Sequence, residues 1–274
     1  LDIRNNASLN SLFGLDEIAT IGGEVQISNN AMLPSLDHLN ALTSISDRLL
    51  ISDNPSLTSL DGLGNLEIIG ANLTLALNAT LASVEGLESL TTIGGSLVIT
   101  DHEALASLAG LSALTSMDGF LQITFNQALT SLEGLEEIDP TGISELFIES
   151  NQLLSNCAVE SICAYISSAG NTPTITVNAE GCNSQDEVVI GCMSTSSEDP
   201  SRMVLELSPN PTSGRLQLGS VVFEQVQVFT PQGRLVSNYS RPGSILDLSD
   251  LPAGLYYLRL ESDTHQYSAR IVKR

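Results

Sequence analysis

The sequence has few basic residues, no tryptophan and no long apolar run. Ten Lys and Arg residues stand against 32 Asp and Glu residues, which gives a formal net charge of −22. A surface of that sign repels nucleic acid and anionic lipid, so we expect neither as a partner. No apolar run approaches the ~20 residues of a membrane-spanning helix, and we expect no transmembrane segment. The chain begins at Leu1 without an initiator Met or a signal peptide, which suggests a mature or trimmed product.

Groups that perform chemistry are also scarce. His38, His102 and His265 are the only histidines, and none lies beside a Ser or Cys in the pattern of a nucleophile and its base. No phosphate-binding loop, HExxH or GxSxG motif is present. We therefore predict that the protein is not an enzyme and has no metal or other cofactor. The alternative is a secreted carbohydrate-active enzyme with paired carboxylates such as Glu136 and Glu137.

The acidic charge is confined to one part of the chain. Residues 1–192 hold 24 acidic residues and only two basic ones, Arg4 and Arg48, whereas residues 193–274 hold eight of each. The length and this change in composition predict two domains. The apolar fraction of 42% is that of a folded protein rather than of a disordered acidic chain.

A repeat of 24 residues organises the first part of the chain. An Asn recurs at this period, with one His substitution and one slip of a single residue, at Asn6, Asn30, Asn54, Asn78, His102, Asn126 and Asn151. A fixed period of this size predicts a solenoid, in which each coil buries its apolar residues against its neighbours. We expect the Asn side chains to satisfy turn backbone and the Asn of adjacent coils, and His102 to substitute for one of them.

The apolar columns of the repeat predict parallel strands. Two columns are spaced i, i+2 and thus share one face of a strand. One column contains Leu1, Val25, Leu49, Leu73, Leu97 and Leu121, and the other contains Ile3, Ile27, Ile51, Leu75, Ile99 and Ile123. Further apolar residues at a spacing of three, such as Leu105, Leu108 and Leu111, favour a tightly turning chain over a long helix. Recurrent glycines such as Gly86 and Gly134 predict corners with positive φ or close approach.

The whole pattern, L-x-I-x-x-N-x-x-L-x-S-L-x-G-L-x-x-L-x-x-I-G-G, resembles the receptor L-domain and, more loosely, bacterial leucine-rich repeats. The resemblance implies a right-handed parallel β-solenoid over residues 1–156 that binds other molecules without catalysis.

The outward strand positions, with the residues next to them such as Leu77 and Phe125, are the candidate binding face, since solenoids bind partners on their sheet surface. They mix hydroxyls, amides and a few apolar residues that are potential anchors. The candidate binding residues are Leu50, Thr74, Leu77, Val98, Thr100, Gln122, Thr124, Phe125 and Phe147. A structural or ice-binding solenoid is a further alternative, suggested by Thr74, Thr100 and Thr124, although these form no regular T-x-T array.

A second surface column is acidic, with Asp37, Asp61, Glu85 and Glu133 interrupted by Ala109. These carboxylates repel one another at a coil spacing of ~4.8 Å unless they are solvated or bridged by cations. No calcium-loop motif is present, so we interpret the column as a solvated edge.

Residues 157–192 are predicted to form a cap that covers the end of the solenoid. They contain an apolar pattern typical of a short helix that ends at Gly170, and Ser184 with Glu187 resembles a capping box. All four cysteines, Cys157, Cys163, Cys182 and Cys192, lie here without a zinc-type C-x2-C pair. We expect two disulfides, either Cys157–Cys182 with Cys163–Cys192 or the crossed alternative, in an oxidising compartment.

After a predicted linker at residues 193–203, residues 204–274 alternate short strands with Pro and Gly turns, a pattern typical of a small Ig-like β-sandwich. The spacing of several motifs resembles the C-terminal sorting domain of the type IX secretion system of Bacteroidetes. The matching residues are Pro209, Asn210, Pro211, Gly214, Gly233, Asp247, Leu248, Ser249, Leu251, Gly254, Tyr256, Val272, Lys273 and Arg274. The resemblance implies that the secretion machinery is a partner and that the protein is secreted or held at the outer-membrane surface of a Gram-negative bacterium.

Together these features predict an exported, non-catalytic binding or adhesion protein. Its solenoid face would recognise a protein or a glycan.

Overall fold

The computed structural model describes residues 1–195, 202–204, 207–218, 221–230, 234–262 and 266–274. The chain forms two compact units, Leu1–Val188 and Val189–Arg274. Within the described residues, no helix is long and apolar enough to cross a membrane.

The first unit is a parallel β-solenoid, as the repeat predicts. Each coil contributes one strand to a main sheet of eight strands, and residues 24 apart pair in register, so that Leu97 lies beside Leu121. The strands of the main sheet are Asp2–Arg4, Val25–Ser28, Leu49–Ser52, Leu73–Ala76, Leu97–Thr100, Gly119–Thr124, Ile143–Glu149 and Thr174–Thr176.

A second parallel sheet runs along another side of the coils. Its strands have only two residues each, which agrees with the tightly turning chain that the apolar residues three positions apart predict. They are Thr20–Ile21, Ser44–Ile45, Ile68–Ile69, Thr92–Ile93 and Ser116–Met117. Short 3-10 turns at Asp61–Leu63, Ala109–Leu111 and Pro140–Gly142 complete three of the coils.

The core of the solenoid is the stack of inward columns. Leu73, Leu75, Leu97 and Ile99 are fully buried, as are the residues of the three-spaced group such as Leu108. Burial of one such side chain contributes roughly 1.5–3 kcal/mol. The later coils repeat the same set against their neighbours, whereas Leu1 and Ile3 of the first coil are only half-buried. The strand periodicity and the coil period therefore specify the same register.

The corner glycines adopt two conformations. Gly86 and Gly134 have positive φ, as predicted, whereas Gly62 and Gly110 lie in 3-10 turns. In both cases the neighbouring coil lies so close that a Cβ would collide with its backbone: a Cβ on Gly86 would lie 2.3 Å from the carbonyl oxygen of Leu60. Close approach is therefore the feature that these corners share.

The cap adds one more coil to the stack. A helix at Glu160–Ser167 is followed by the strand Thr174–Thr176, in which Ile175 pairs with Ile148. All four cysteines are disulfide-bonded, and Cys157 pairs with Cys182 as in the first of the two predicted arrangements. A bond that closes a loop of this length contributes about 3 kcal/mol.

A second helix, Gln185–Thr195, begins at the predicted capping box. The backbone amide of Glu187 donates to Oγ of Ser184 at 3.2 Å. The Glu187 carboxylate accepts from the amides of Gly181 and Asn183 rather than from Ser184. The helix extends into the predicted linker, which also overlaps the strand Arg202–Val204, and residues 196–201 lie outside the described residues.

The second unit contains two sheets around a shared core, in agreement with the predicted sandwich. Leu216 and Leu246 from the smaller sheet pack in one cluster with Val226, Leu258 and Ile271 from the larger one. The larger sheet contains Arg202–Val204, Gln266–Lys273, Gly254–Glu261, Gln225–Phe229 and Leu235–Ser240, and the smaller one contains Arg215–Gln217 and Ile245–Asp247.

Candidate binding face of the solenoid and the sorting unit

The outward face of the main sheet carries a half-buried column in its centre. Leu50, Thr74, Val98, Gln122 and Phe147 lie in register on successive strands. Phe147 also meets the ring of Phe120 edge-on, with centroids 6.4 Å apart. The structure thus brings these predicted residues onto one continuous surface.

The next outward column is less accessible than the sequence predicts. Thr124 is 2% exposed, and its hydroxyl donates to Oγ1 of Thr100 at 2.9 Å and accepts from the side-chain amide of Gln122 at 3.1 Å. Thr100 in turn donates to the carboxylate of Asp101 at 2.6 Å. Both hydrogen-bonding roles of the Thr124 hydroxyl are thus taken up within the sheet, and a contact of Thr124 with a ligand stays a prediction.

The residue after each strand forms a third column, which we call the left-handed row. All its members have φ between +54° and +59°. The row consists of Asn5, Asn29, Asp53, Leu77, Asp101, Phe125, Ser150 and Val177. Asn and Asp tolerate this conformation, whereas it is costly for branched and bulky side chains.

The backbone on both sides of the row fixes that conformation. The amides of Leu77 and Phe125 continue the strand ladder by donating to Thr100 and Glu149 of the next coil at 3.2 and 3.1 Å. The residue that follows each of them is a buried Asn, Asn78 or Asn126, held by hydrogen bonds of its own. Leu77, Phe125 and Val177 are consequently held with half of each side chain exposed, at 49%, 50% and 56%.

The buried Asn column forms the predicted ladder. Oδ1 of Asn54 accepts from the backbone amide of Asn30 at 3.1 Å, and Nδ2 of Asn54 donates to the carbonyl of Ile27 at 3.0 Å. Asn178 continues the ladder in the cap, where Asn151 donates to its Oδ1 at 3.0 Å. The sequence analysis missed Asn178 and its neighbour Val177 because the spacing there is 27 residues instead of 24.

His102 replaces Asn at one rung of this ladder. Its Nδ1 donates to Oδ1 of Asn126 at 3.1 Å, and its buried Nε2 has no hydrogen-bond partner among the residues that the structure describes. Burial lowers the pKa of His102 to about 4, against the smaller opposing effects of the Asn126 hydrogen bond and the Asp101 carboxylate. His102 is therefore a neutral structural residue inside the core near neutral pH.

The other solenoid histidine lies at a corner. Nδ1 of His38 and Oδ1 of Asp16 are 2.6 Å apart, and this hydrogen bond lowers the pKa of Asp16. The ring of Phe13 meets His38 edge-on at 5.5 Å. His265 lies outside the described residues.

The acidic column is exposed and locally hydrogen-bonded. Asp37, Asp61, Glu85 and Glu133 are all exposed, and Asp37 accepts from Oγ of Ser35 at 2.8 Å. No group of three or more potential metal ligands occurs in the described part of the chain.

The charged residues of the solenoid and its cap are almost all acidic. Its two basic residues pair with acids of the first coils, Arg4 with Asp2 and Arg48 with Glu24. Residues 49–192 contain eighteen acidic residues and no Lys or Arg. The left-handed row from Leu77 to Val177 therefore lies in a region with no basic side chain of its own.

In the second unit, the predicted sorting residues meet at the last strand. The Asn210 side chain donates to the carbonyl of Arg270 at 2.7 Å and accepts from the amide of Val272 at 2.9 Å. The Lys273 ammonium is buried and donates to the carbonyls of Ser249 and Leu251. Two stretches far apart in the sequence are thus attached to this strand.

The remaining sorting residues are divided between the core and the surface. Tyr256 is buried and donates to the carbonyl of Pro252 at 2.9 Å, and Gly214 has φ +135° beside Ser249. Pro209, Pro211 and Arg274 are exposed, and Gly254 begins a strand. Gly233 lies outside the described residues.

Comparison with known families supports the sorting unit. Residues 206–274 match the family described as the secretion system C-terminal sorting domain. This confirms the resemblance to the type IX sorting domain and implies that the protein is secreted or attached at the cell surface, with the secretion machinery as a partner. The leucine-rich-repeat and receptor L-domain resemblance stays a prediction.

No curated protein matches the chain. A solved structure from Clostridium perfringens ZmpB, titled as CBM51-2 in complex with GlcNAc and INT domains, is 11% identical to it. The match covers 68% of this chain and 30% of that one, with a TM-score of 0.17. This chain therefore spans about a third of the length of that protein, and at this TM-score the likeness carries no argument about fold or ligand.

Proposed function

We propose that this protein is an exported, non-catalytic binding or adhesion protein that holds a protein or glycan with the outer face of its main sheet. The observation that carries the proposal is the exposure of Leu77, Phe125 and Val177 along one row of the solenoid. Large apolar side chains aligned on the surface of a soluble protein are typical of an interaction site.

The backbone conformation strengthens this interpretation. A left-handed conformation costs an L-residue other than Gly, Asn or Asp about 1–2 kcal/mol. Asn and Asp occupy the same row in Asn5, Asn29, Asp53 and Asp101, so the chain uses the less costly residues elsewhere. Strained backbone positions cluster at binding and catalytic sites, so the exposed apolar residues at these positions support a role in binding.

The central column provides the rest of the binding face. Val98, Gln122 and Phe147 are half-buried beside the row, so a ligand there meets both apolar and amide groups. The resemblance to receptor L-domains and leucine-rich repeats supports the same face, since it implies binding without chemistry. The sorting unit implies that this face is displayed outside the cell, and the resemblance to the type IX system suggests a bacterium of the Bacteroidetes.

The full chain, applied to arrays of glycans and of purified surface proteins, tests the proposal. We expect a ligand whose affinity falls when Phe125 and Phe147 are both replaced with Ser. The matched control is Ile68→Thr, which removes an apolar side chain of 46% exposure from the second sheet, where the paired positions hold Ser44 and Thr92. Equal affinity of the double variant and the wild type would remove this face from consideration, and turnover of an array glycan would show that the protein is an enzyme.

A further inference from the structure

The left-handed row has an ordered composition in its C-terminal half. Apolar residues alternate with polar ones along successive coils, in the order Leu77, Asp101, Phe125, Ser150 and Val177. Neighbouring strands lie ~4.8 Å apart, so consecutive apolar residues of the row are ~9.6 Å apart. A regular apolar spacing with a carboxylate between two of its members is a pattern that a ligand can match.

The spacing suits an extended polypeptide that lies along the stacking direction of the coils. A polyproline-II chain rises ~3.1 Å per residue and repeats its direction every third residue, or ~9.3 Å. Every third side chain of such a segment would therefore lie opposite an apolar residue of the row, because these residues occur in every second coil. The segment needs no strand edge, because the backbone groups of the row are already bonded to the next coil.

The acidic residues around the row favour a ligand with positive charge. Residues 49–192 contain no Lys or Arg, and Asp101 and Asp53 are members of the row itself. The Asp101 carboxylate is oriented by the hydroxyl of Thr100, at 2.6 Å, and stays exposed to solvent. An acidic ligand would be repelled here, whereas Lys or Arg side chains between apolar ones would meet the carboxylates.

We propose that the row from Leu77 to Val177 binds an extended, basic polypeptide segment that carries an apolar side chain at every third position. Leu77, Phe125 and Val177 contact the apolar side chains, and Asp101 contacts a basic side chain between them. This inference rests on the proposed function, because it specifies the partner of the same face and identifies the row as the part that determines specificity.

The test uses the full chain and synthetic peptides with Leu or Phe at every third position. One set has Lys and Ser between the apolar residues, a second set has Glu in place of Lys, and a third has the same composition in scrambled order. We expect binding of the first set alone, with an affinity that falls as salt rises. The variant with both Leu77→Asn and Phe125→Asn should lose roughly tenfold or more in affinity, as expected for the central apolar anchors of an interface.

Two further variants separate the parts of the proposal. Asp101→Asn should weaken binding of the basic peptides and reduce the salt dependence, whereas Ile68→Thr should change neither. The Asn variants place a favoured residue in the left-handed conformation, so thermal melting should show them folded.

Each remaining outcome has a defined meaning. Unchanged affinity of the Asn double variant, or equal binding of scrambled or acidic peptides, overturns the assignment of the row. Binding of the chain to a neutral glycan or to a protein of the array, but to none of the peptides, overturns the basic extended partner and leaves the proposed function standing. Binding to neither peptides nor any glycan or protein array overturns both.

Discussion

His102 donates a hydrogen bond from Nδ1 to Oδ1 of Asn126 at 3.1 Å, while its Nε2 finds no partner anywhere in the described part of the chain. In the other coils an Asn at this position provides both a donor and an acceptor. His102 therefore interrupts an otherwise regular ladder in the middle of the solenoid.

Replacing His102 with Asn should stabilise the protein by about 1–3 kcal/mol, because a buried group that lacks a partner carries its full desolvation cost. The new amide would donate to the carbonyl of Leu75 and accept from the amide of Asn78, by analogy with Asn54. Denaturant unfolding measures the change. Asn54→His is the matched control and should destabilise, and a loss of stability in His102→Asn would contradict the ladder interpretation.

His102 should also make stability depend on pH. Its pKa is about 4 in the folded protein against 6.5 for the ordinary side chain, so the unfolded chain binds the extra proton first. Stability should therefore fall as pH drops from 6.5 towards 4 and change no further on this account below 4. The loss from this residue amounts to about 3 kcal/mol.

The readout for this pH effect is the difference in unfolding free energy between the wild type and His102→Asn, measured at pH 7 and near pH 4. Carboxylates shared by both proteins cancel in the difference. A difference that is independent of pH would show that His102 is not buried as the structure places it.

Leu77→Asn should raise stability by about 0.5–1 kcal/mol while the apolar surface shrinks, because Asn adopts the left-handed conformation at lower cost than Leu. Thermal melting measures the gain. Asp53→Leu, at an equivalent position of an earlier coil, should have the opposite effect. A destabilised Leu77→Asn variant would mean that the Leu77 side chain packs more favourably than its 49% exposure indicates.

Substitutions at Gly14 and Gly86 distinguish the cost of backbone strain at positive φ from the cost of a collision with the adjacent coil. Both have φ +99°, but a Cβ on Gly14 meets nothing within 4 Å, whereas a Cβ on Gly86 lies 2.3 Å from the backbone of Leu60. Gly14→Ala should therefore cost only the conformational strain of about 1–2 kcal/mol, and Gly86→Ala should cost clearly more. Chemical denaturation of both variants measures the costs, and equal losses would show that the adjacent coil yields without penalty.

Lys273→Met should loosen the sorting unit, because the methionine keeps most of the apolar stem and removes the donor of two carbonyls. We expect faster amide exchange at residues 247–252 and reduced surface display of the full chain. Arg274→Ala is the control for amide exchange alone, since Arg274 is exposed and its side chain has no comparable burial. Unchanged exchange in Lys273→Met would show that its hydrogen bonds to Ser249 and Leu251 do not stabilise this turn.

The sequence predicted the fold wherever the period was unbroken. Columns such as Leu97 and Leu121 specify a register, and the structure has that register. Prediction failed where the period slipped, which hid Val177 and Asn178 in the cap. Alternation along a strand identified the outward side for Thr124 but could not predict how little of the residue is exposed there.

The candidate site was less predictable than the fold for a related reason. Position in the repeat placed Leu77 and Phe125 beside the sheet, but only backbone geometry showed the conformation that they share. The motif identified Lys273 as a sorting residue but gave no sign of its burial, which depends on a turn that lies more than twenty residues away.

Because the scaffold, and not the side chain, sets the backbone at every position of the left-handed row, each coil can change its displayed residue without altering its neighbours. The row is thus a series of positions ~4.8 Å apart at which the residue type can vary independently. A single substitution in the row can change the ligand preference of such a protein at one position without affecting the others. The duplication of a coil would lengthen the recognised segment by a fixed increment.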